Sequence, residues 1–162
     1  MNNVNVSVME VSQPQWTNEL VSFALKVMAE LGCENWELSV LLCSDKTIKG
    51  LNAKYRNKDE ATDVLSFELG AEETAPDGSL RYFPGDIVIS LETLHENAGY
   101  FKISDDEELR RLLIHGILHL YGMDHKTNDA NEPMIVKQEN ILDKFKQERI
   151  IPDMNAFCRK NK

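Results

Sequence analysis

Val4, Val6 and Val8 alternate with asparagine and serine, and this period of two predicts a half-buried strand. The period changes after Pro14. Leu20, Phe23, Ala24, Val27 and Leu31 recur at three- and four-residue steps, which predicts a helix from Trp16 to Leu31 with one apolar face and Gly32 as its stop. Glu37–Cys43 reads as a second strand, and Ser44-Asp45 cap a short helix running to about Tyr55. Thr62–Leu69 mixes β-branched and aromatic residues as a third strand does. Residues 70–80, with Pro76-Asp77-Gly78 as their turn, read as the clearest loop of the chain. Gly85–Ser90 is another strand, followed by a helix to about Ala98. Ser104-Asp105-Asp106-Glu107 forms a capping box with extra acids in the first turn, a strong helix start, and a final helix covers about 130–147. This order predicts the α/β (α+β) class: a single compact domain over residues 1–150, with a small mixed β-sheet packed with helices. Residues 151–162, ending Arg159-Lys160-Asn161-Lys162, are expected to be a basic, mobile tail.

The helix opened at Ser104 leads into His115-Gly-Ile-Leu-His119-Leu-Tyr-Gly122-Met-Asp-His125, which holds three of the four histidines of the chain. His115 and His119 fall one turn apart on one helical face. Gly122 ends the helix and lets the chain turn back with His125 as a third ligand. Three imidazoles with an open fourth position suit a catalytic zinc site, since closed structural sites use four protein ligands. The spacing is that of the metzincin proteases, H-E-x-x-H-x-x-G-x-x-H, except that Gly116 replaces the glutamate that serves them as general base. Nickel, copper and iron also accept such ligands. The fourth histidine, His95, sits in an amphipathic stretch and is expected to face solvent.

Composition narrows the class. A chain of 162 residues with 42% hydrophobic and 28% charged content has enough material for one buried core. It contains no run long enough for a membrane span and no signal-like start, so a cytoplasmic protein without membrane partners is expected. Cys33, Cys43 and Cys158 are odd in number and widely spaced, which suits free thiols better than a disulfide framework. The net charge of −9 argues against indiscriminate nucleic-acid binding. It is unevenly spread: Lys46, Lys49, Lys54, Arg56 and Lys58 occur with no acid among them, whereas Glu68, Glu72, Glu73 and Asp77 follow with no base. A basic lip of this kind is compatible with local binding of a polyanion or with an ordinary solvated helix face.

These motifs resemble the YbeY family of bacterial rRNA maturation factors. The family pattern H-G-x-L-H-L-x-G-x-D-H is matched by His115, Gly116, Leu118, His119, Leu120, Gly122, Asp124 and His125. A second segment, Y-R-x-K-x-x-x-T-D-V-L-S-F, is matched from Tyr55 to Phe67, and a third, G-D-I-x-I-S, from Gly85 to Ser90. The acidic stretch 70–79 is the main departure. The resemblance implies a compact fold with a small mixed sheet and one Zn(2+) per chain on His115, His119 and His125. It also implies single-strand-specific endoribonuclease activity in small-subunit ribosomal RNA maturation and ribosome quality control, with ribosomal RNA and the ribosome as partners.

Within that reading, Arg56 is the candidate to stabilise negative charge on the phosphoryl oxygens, since its planar fork suits phosphate. Its plain alternative is a surface arginine paired with Asp59 or Glu60. Asp124 is the candidate to orient an imidazole or to act as an acid/base group, or else it simply forms the turn beside Gly122. Lys58 and Ser66 are candidate RNA contacts, while Asp63 and Asp86 are weaker candidates that can equally flank strands. The rival readings are a non-catalytic zinc-stabilised ribosome- or RNA-binding factor and a metzincin-like protease lacking its glutamate.

Overall fold

The computed structural model describes residues 1–152; residues 153–162, and with them most of the expected basic tail and Cys158, lie outside the described residues. The chain runs β1 (Asn3–Met9), α1 (Thr17–Glu30), β2 (Glu37–Cys43), α2 (Asp45–Arg56), β3 (Val64–Thr74), β4 (Leu80–Ser90), α3 (Leu91–Phe101), α4 (Asp105–Tyr121) and α5 (Pro133–Lys144). The four strands form one sheet in the order β1-β2-β4-β3, with β1, β2 and β4 parallel and β3 antiparallel to β4. The result is the expected single α+β domain with a mixed sheet.

Alternation decides which face each helix covers. Leu38, Val40 and Leu42 of β2 and Ile87 and Ile89 of β4 point to one side, where α1, α3, α4 and α5 supply Leu20, Phe23, Val27, Leu94, Leu113, Ile117 and Ile141. The intervening residues face the other side, where Ile48 and Leu51 of α2 pack on Cys43, Val88, Leu65 and Phe67. β3 therefore lies at a sheet edge, with α2 beside it and the main helical layer on the opposite face. Burial pushes the Cys33 thiol up to about 11, and burial followed by the nearby Asp45 charge does the same to Cys43, so neither is poised as a thiolate ligand.

One expectation fails. Residues 70–80 are not a loop: β3 continues to Thr74 and β4 starts at Leu80, pairing Ala71 with Phe83 through Thr74 with Leu80 after a bulge beyond Glu68. The exposed acids Glu72 and Glu73 belong to this projecting hairpin, and only 75–79 turn. Long-range pairing with β4 overrides local turn chemistry here.

α4 is the central helix. Ser104 caps it by accepting the Glu107 amide at 3.0 Å, and eleven of its seventeen residues are buried. A helix buried around most of its circumference, charged Glu108 and Arg110 included, lies inside the molecule. Asp106 in its first turn is also buried. It accepts from the Ile150 and Ile151 amides at 2.7 and 2.8 Å and pairs with Arg110, which ties down the end of the described chain.

Candidate metal centre and active-site cleft

α4 ends where the chemistry begins. Gly122 adopts φ +110°, and the Met123 amide returns to the Leu118 carbonyl at 3.0 Å, a left-handed helix stop that an L side chain resists. This turn carries the chain back so that His125 faces His115 and His119. The three ring centroids are 4.6, 5.0 and 5.3 Å apart, and one nitrogen from each ring lies within 4.8 Å of the others.

The hydrogen bonds show which nitrogen each ring offers. His115 Nδ1 donates to Gln138 Oε1 at 2.6 Å, His119 Nδ1 to the Met123 carbonyl at 3.2 Å, and His125 Nδ1 to the Thr127 carbonyl at 2.8 Å. With every Nδ1 proton committed to an oxygen, the Nε2 lone pairs remain free. The Nε2 atoms of His115 and His119 are 3.1 Å apart. Two lone pairs at that separation repel each other, and a cation between them reverses the sign. Burial, foremost, pulls the His115 and His119 pKa values below the ordinary 6.5, and the neighbouring histidine charges act in the same direction. Neutral imidazole is the form that binds a metal. The donor set therefore fits a divalent ion of the zinc type.

Gly116 explains the missing protease glutamate. A Cβ at this position would meet Ile87 side-chain atoms of β4 at 2.9 Å. The position faces the sheet and lets α4 pack closely on it, so it is not a place from which a carboxylate can reach the three histidines.

A cleft of about 830 Å³ opens beside the histidines. His115, His119, Met123 and Asp124 form one wall, and Tyr55, Arg56, Lys58 and residues 64–68 form the other. The second wall is built by the end of α2. Asn57 adopts φ 57° and closes the helix, while the buried Asn52 accepts the Asn57 and Lys58 amides and holds the Glu60 carbonyl at 3.0 Å. β3 approaches closely because Gly85 of β4 has φ +143° and no Cβ, which would otherwise lie 1.9 Å from the Phe67 carbonyl oxygen.

The cleft thus gathers the candidates Arg56, Lys58, Ser66 and Asp124 with two of the histidines. Arg56 does not use Asp59 or Glu60 as its partner. Its Nη2 donates to the Ser66 carbonyl at 2.7 Å and its guanidinium lies 5.4 Å from the Phe67 ring centroid, while Lys49 lies 4.0 Å from Asp59. Ser66 contributes its backbone to that contact. Asp124 Oδ1 accepts the His125 amide at 2.8 Å and lies 3.9 Å from His119 Nδ1, so it forms the turn while its carboxylate stays exposed on the cleft. Asp63 accepts the Val64 amide and the Asn97 side chain, Asp86 is exposed within β4, and His95 is exposed and pairs with Asp105, all outside the cleft.

Gln138 was not evident from the sequence. It is buried, lies in α5, and is joined to His115 across 23 positions. The Met123 and Thr127 carbonyls are also invisible in side-chain patterns.

Comparison with known proteins agrees with this geometry. The family model described as Endoribonuclease YbeY matches residues 2–146. An Endoribonuclease YbeY of Treponema denticola is 46% identical over 129 residues, covering 80% of this chain and 83% of the relative. That of Treponema pallidum is 42% identical over 142 residues, covering 88% and 89%. That of Borreliella afzelii is 47% identical over 127 residues, covering 77% and 84%. A Thermotoga maritima protein known from a solution structure superposes with a TM-score of 0.52 at 28% identity, covering 88% of this chain and 92% of its own. With nearly the whole described fold inside the match, and the three-histidine helix and the Arg56 segment both within it, the chain belongs to the Endoribonuclease YbeY family.

Proposed function

We propose that this protein is a zinc-dependent endoribonuclease that cuts single-stranded RNA, acting in maturation of small-subunit ribosomal RNA and in ribosome quality control. The observation that carries the reading is the set of three imidazoles with their Nδ1 protons committed, two of which line one open cleft with an arginine, in a chain of this family. The catalytic unit is assigned to residues 1–150, with ribosomal RNA and the ribosome as partners and the cytoplasm as its place. No helix among the described residues is long and apolar enough to cross a membrane.

His115, His119 and His125 would hold one Zn(2+) through Nε2. When bound, zinc supplies a Lewis acid and brings the ionisation of water near neutral pH. The protein's residues do the rest. Arg56, steadied by the Ser66 carbonyl and the Phe67 face, keeps most of its N–H donors for phosphoryl oxygens as their charge rises. Lys58 attracts the phosphate backbone as a point charge. Ser66 fixes the arginine and lines the RNA path. Asp124 holds the His125 turn, and its exposed carboxylate is the group assigned to proton transfer. Gln138 keeps the His115 ring in the tautomer that presents Nε2.

The test is cleavage of an end-labelled single-stranded RNA by zinc-loaded protein, beside a chelated sample and His119→Ala. Cutting that vanishes in both controls supports the proposal. A folded, zinc-replete protein that leaves RNA intact contradicts it and favours a factor that binds the ribosome without catalysis.

A further inference from the structure

Cations and the metal account for phosphate, but they leave unexplained why aromatic rings stand on the rim of the cleft. Tyr55 is in the last turn of α2 with 56% of its surface exposed, although a large aromatic side chain normally seeks burial. It lines the cleft together with Phe67 of β3, and the two rings meet edge to face at 5.4 Å and 65°. Lys54 Nζ lies 5.1 Å from the Tyr55 centroid, and the Arg56 guanidinium lies 5.4 Å from the Phe67 centroid. Aromatic rings interleaved with cations, at the mouth of a groove, match the chemistry of an unpaired nucleotide. A ring receives the base and a neighbouring cation receives its phosphate.

The geometry points to a nucleobase subsite on Tyr55, supported from behind by Phe67, which stacks one unpaired base of the RNA close to the bond being cut. The inference rests on the RNA-cleaving reading of the same cleft and adds to it the source of single-strand selectivity. In a duplex both faces of a base are already occupied by its neighbours, so an exposed ring gains contact only with a base free to leave the stack. Stacking uses the face that all bases share, so the subsite selects for strandedness and tolerates any sequence. The Phe67 edge limits how Tyr55 can turn, which reduces the order it must gain on binding. A second exposed pair, Tyr100 and Phe101, is also stacked edge to face at 5.1 Å, but it lies at the end of α3 outside the cleft and provides a built-in control.

The experiment uses zinc-loaded protein and a fully 2′-O-methylated single-stranded oligonucleotide with 2-aminopurine placed at successive positions, its integrity checked on a gel. Stacking quenches 2-aminopurine fluorescence. Quenching on binding is expected wherever 2-aminopurine stands within the strand, because a subsite that tolerates any sequence accepts every register, and it should be lost in Tyr55→Ala together with roughly tenfold or more of the affinity. Tyr55→Phe and Tyr55→Trp should retain it, and Tyr100→Ala should behave as wild type. A Tyr55→Ala protein with the same quenching pattern and affinity as wild type overturns the subsite, as does a folded wild type that does not bind the oligonucleotide. The readout needs no catalysis, so the two readings fail separately. Stacking without cleavage of ordinary RNA would sink the nuclease reading alone, and cleavage with quenching indifferent to Tyr55 would sink the subsite alone.

Discussion

On one wall of the cleft stand His115 and His119, with His125 beside them; all three are half-buried and each has its Nδ1 fixed to an oxygen. On the other, Tyr55, Arg56 and Lys58 are exposed, and among the described residues Arg56 has one side-chain bond, to a backbone carbonyl. The histidine wall stands on α4, which is buried among the other helices and against the sheet. The arginine wall stands on an exposed helix end and an edge strand. The difference is physical. A metal site gains affinity when partners orient its ligands beforehand, whereas a surface that meets a flexible polyanion gains from reach and charge. In an acidic protein, that charge has to be concentrated where the substrate enters, and of the basic run from Lys46 to Lys58 it is Arg56 and Lys58, at the end of α2, that line the exposed wall.

The sharpest break of this comparison is on the histidine wall. His119→Ala should reduce RNA cleavage to background, with zinc content falling in parallel, measured by metal analysis and gel assay of the same sample. Arg56→Ala should lower single-turnover cleavage by about 10²–10³-fold, the scale of a lost charge-stabilising donor. Arg56→Lys should recover only part, since it keeps the charge and loses the fork. Gln138→Ala should weaken zinc binding by about 10–100-fold in a competition titration, because His115 loses the partner that fixes its tautomer. Lys58→Ala should weaken RNA binding severalfold for all sequences and make its log–log salt dependence shallower by about 0.7.

The smallest effect concerns pH. His115 and His119 titrate below the ordinary 6.5 in the fold, because burial disfavours their charged form. The unfolded chain therefore takes up these protons first as pH falls. Their contribution to the stability of chelated protein is present above 6.5 and is lost as pH drops through the lower folded values. The thermal midpoint of chelated protein should fall by a few degrees over this range, and by less in His115→Ala.

What was legible in the sequence divides along the same line. The capping box at Ser104, the one-turn spacing of His115 and His119 and the stop at Gly122 are local signals, and the structure realises each of them. The meaning of Gly116 was legible only as an absence. Its cause, close packing on Ile87, depends on a sheet some thirty positions away. The hairpin beyond Leu69 reads as a loop because its glycines, proline and acids carry turn chemistry, while its strand character comes from pairing with β4. Gln138 was invisible for the same reason, since nothing near it in the chain announces a histidine partner 23 residues earlier. Arg56 was found by charge and motif, but its anchor is a backbone carbonyl, which no side-chain pattern records.

The central claim is that metal holding and phosphate stabilisation sit on separate walls. Its most direct test is single-turnover cleavage by Arg56→Ala, with zinc content and affinity measured on the same preparation. The account predicts wild-type zinc binding together with the loss of about 10²–10³ in rate. Wild-type cleavage by this variant, or loss of its zinc, would contradict the division.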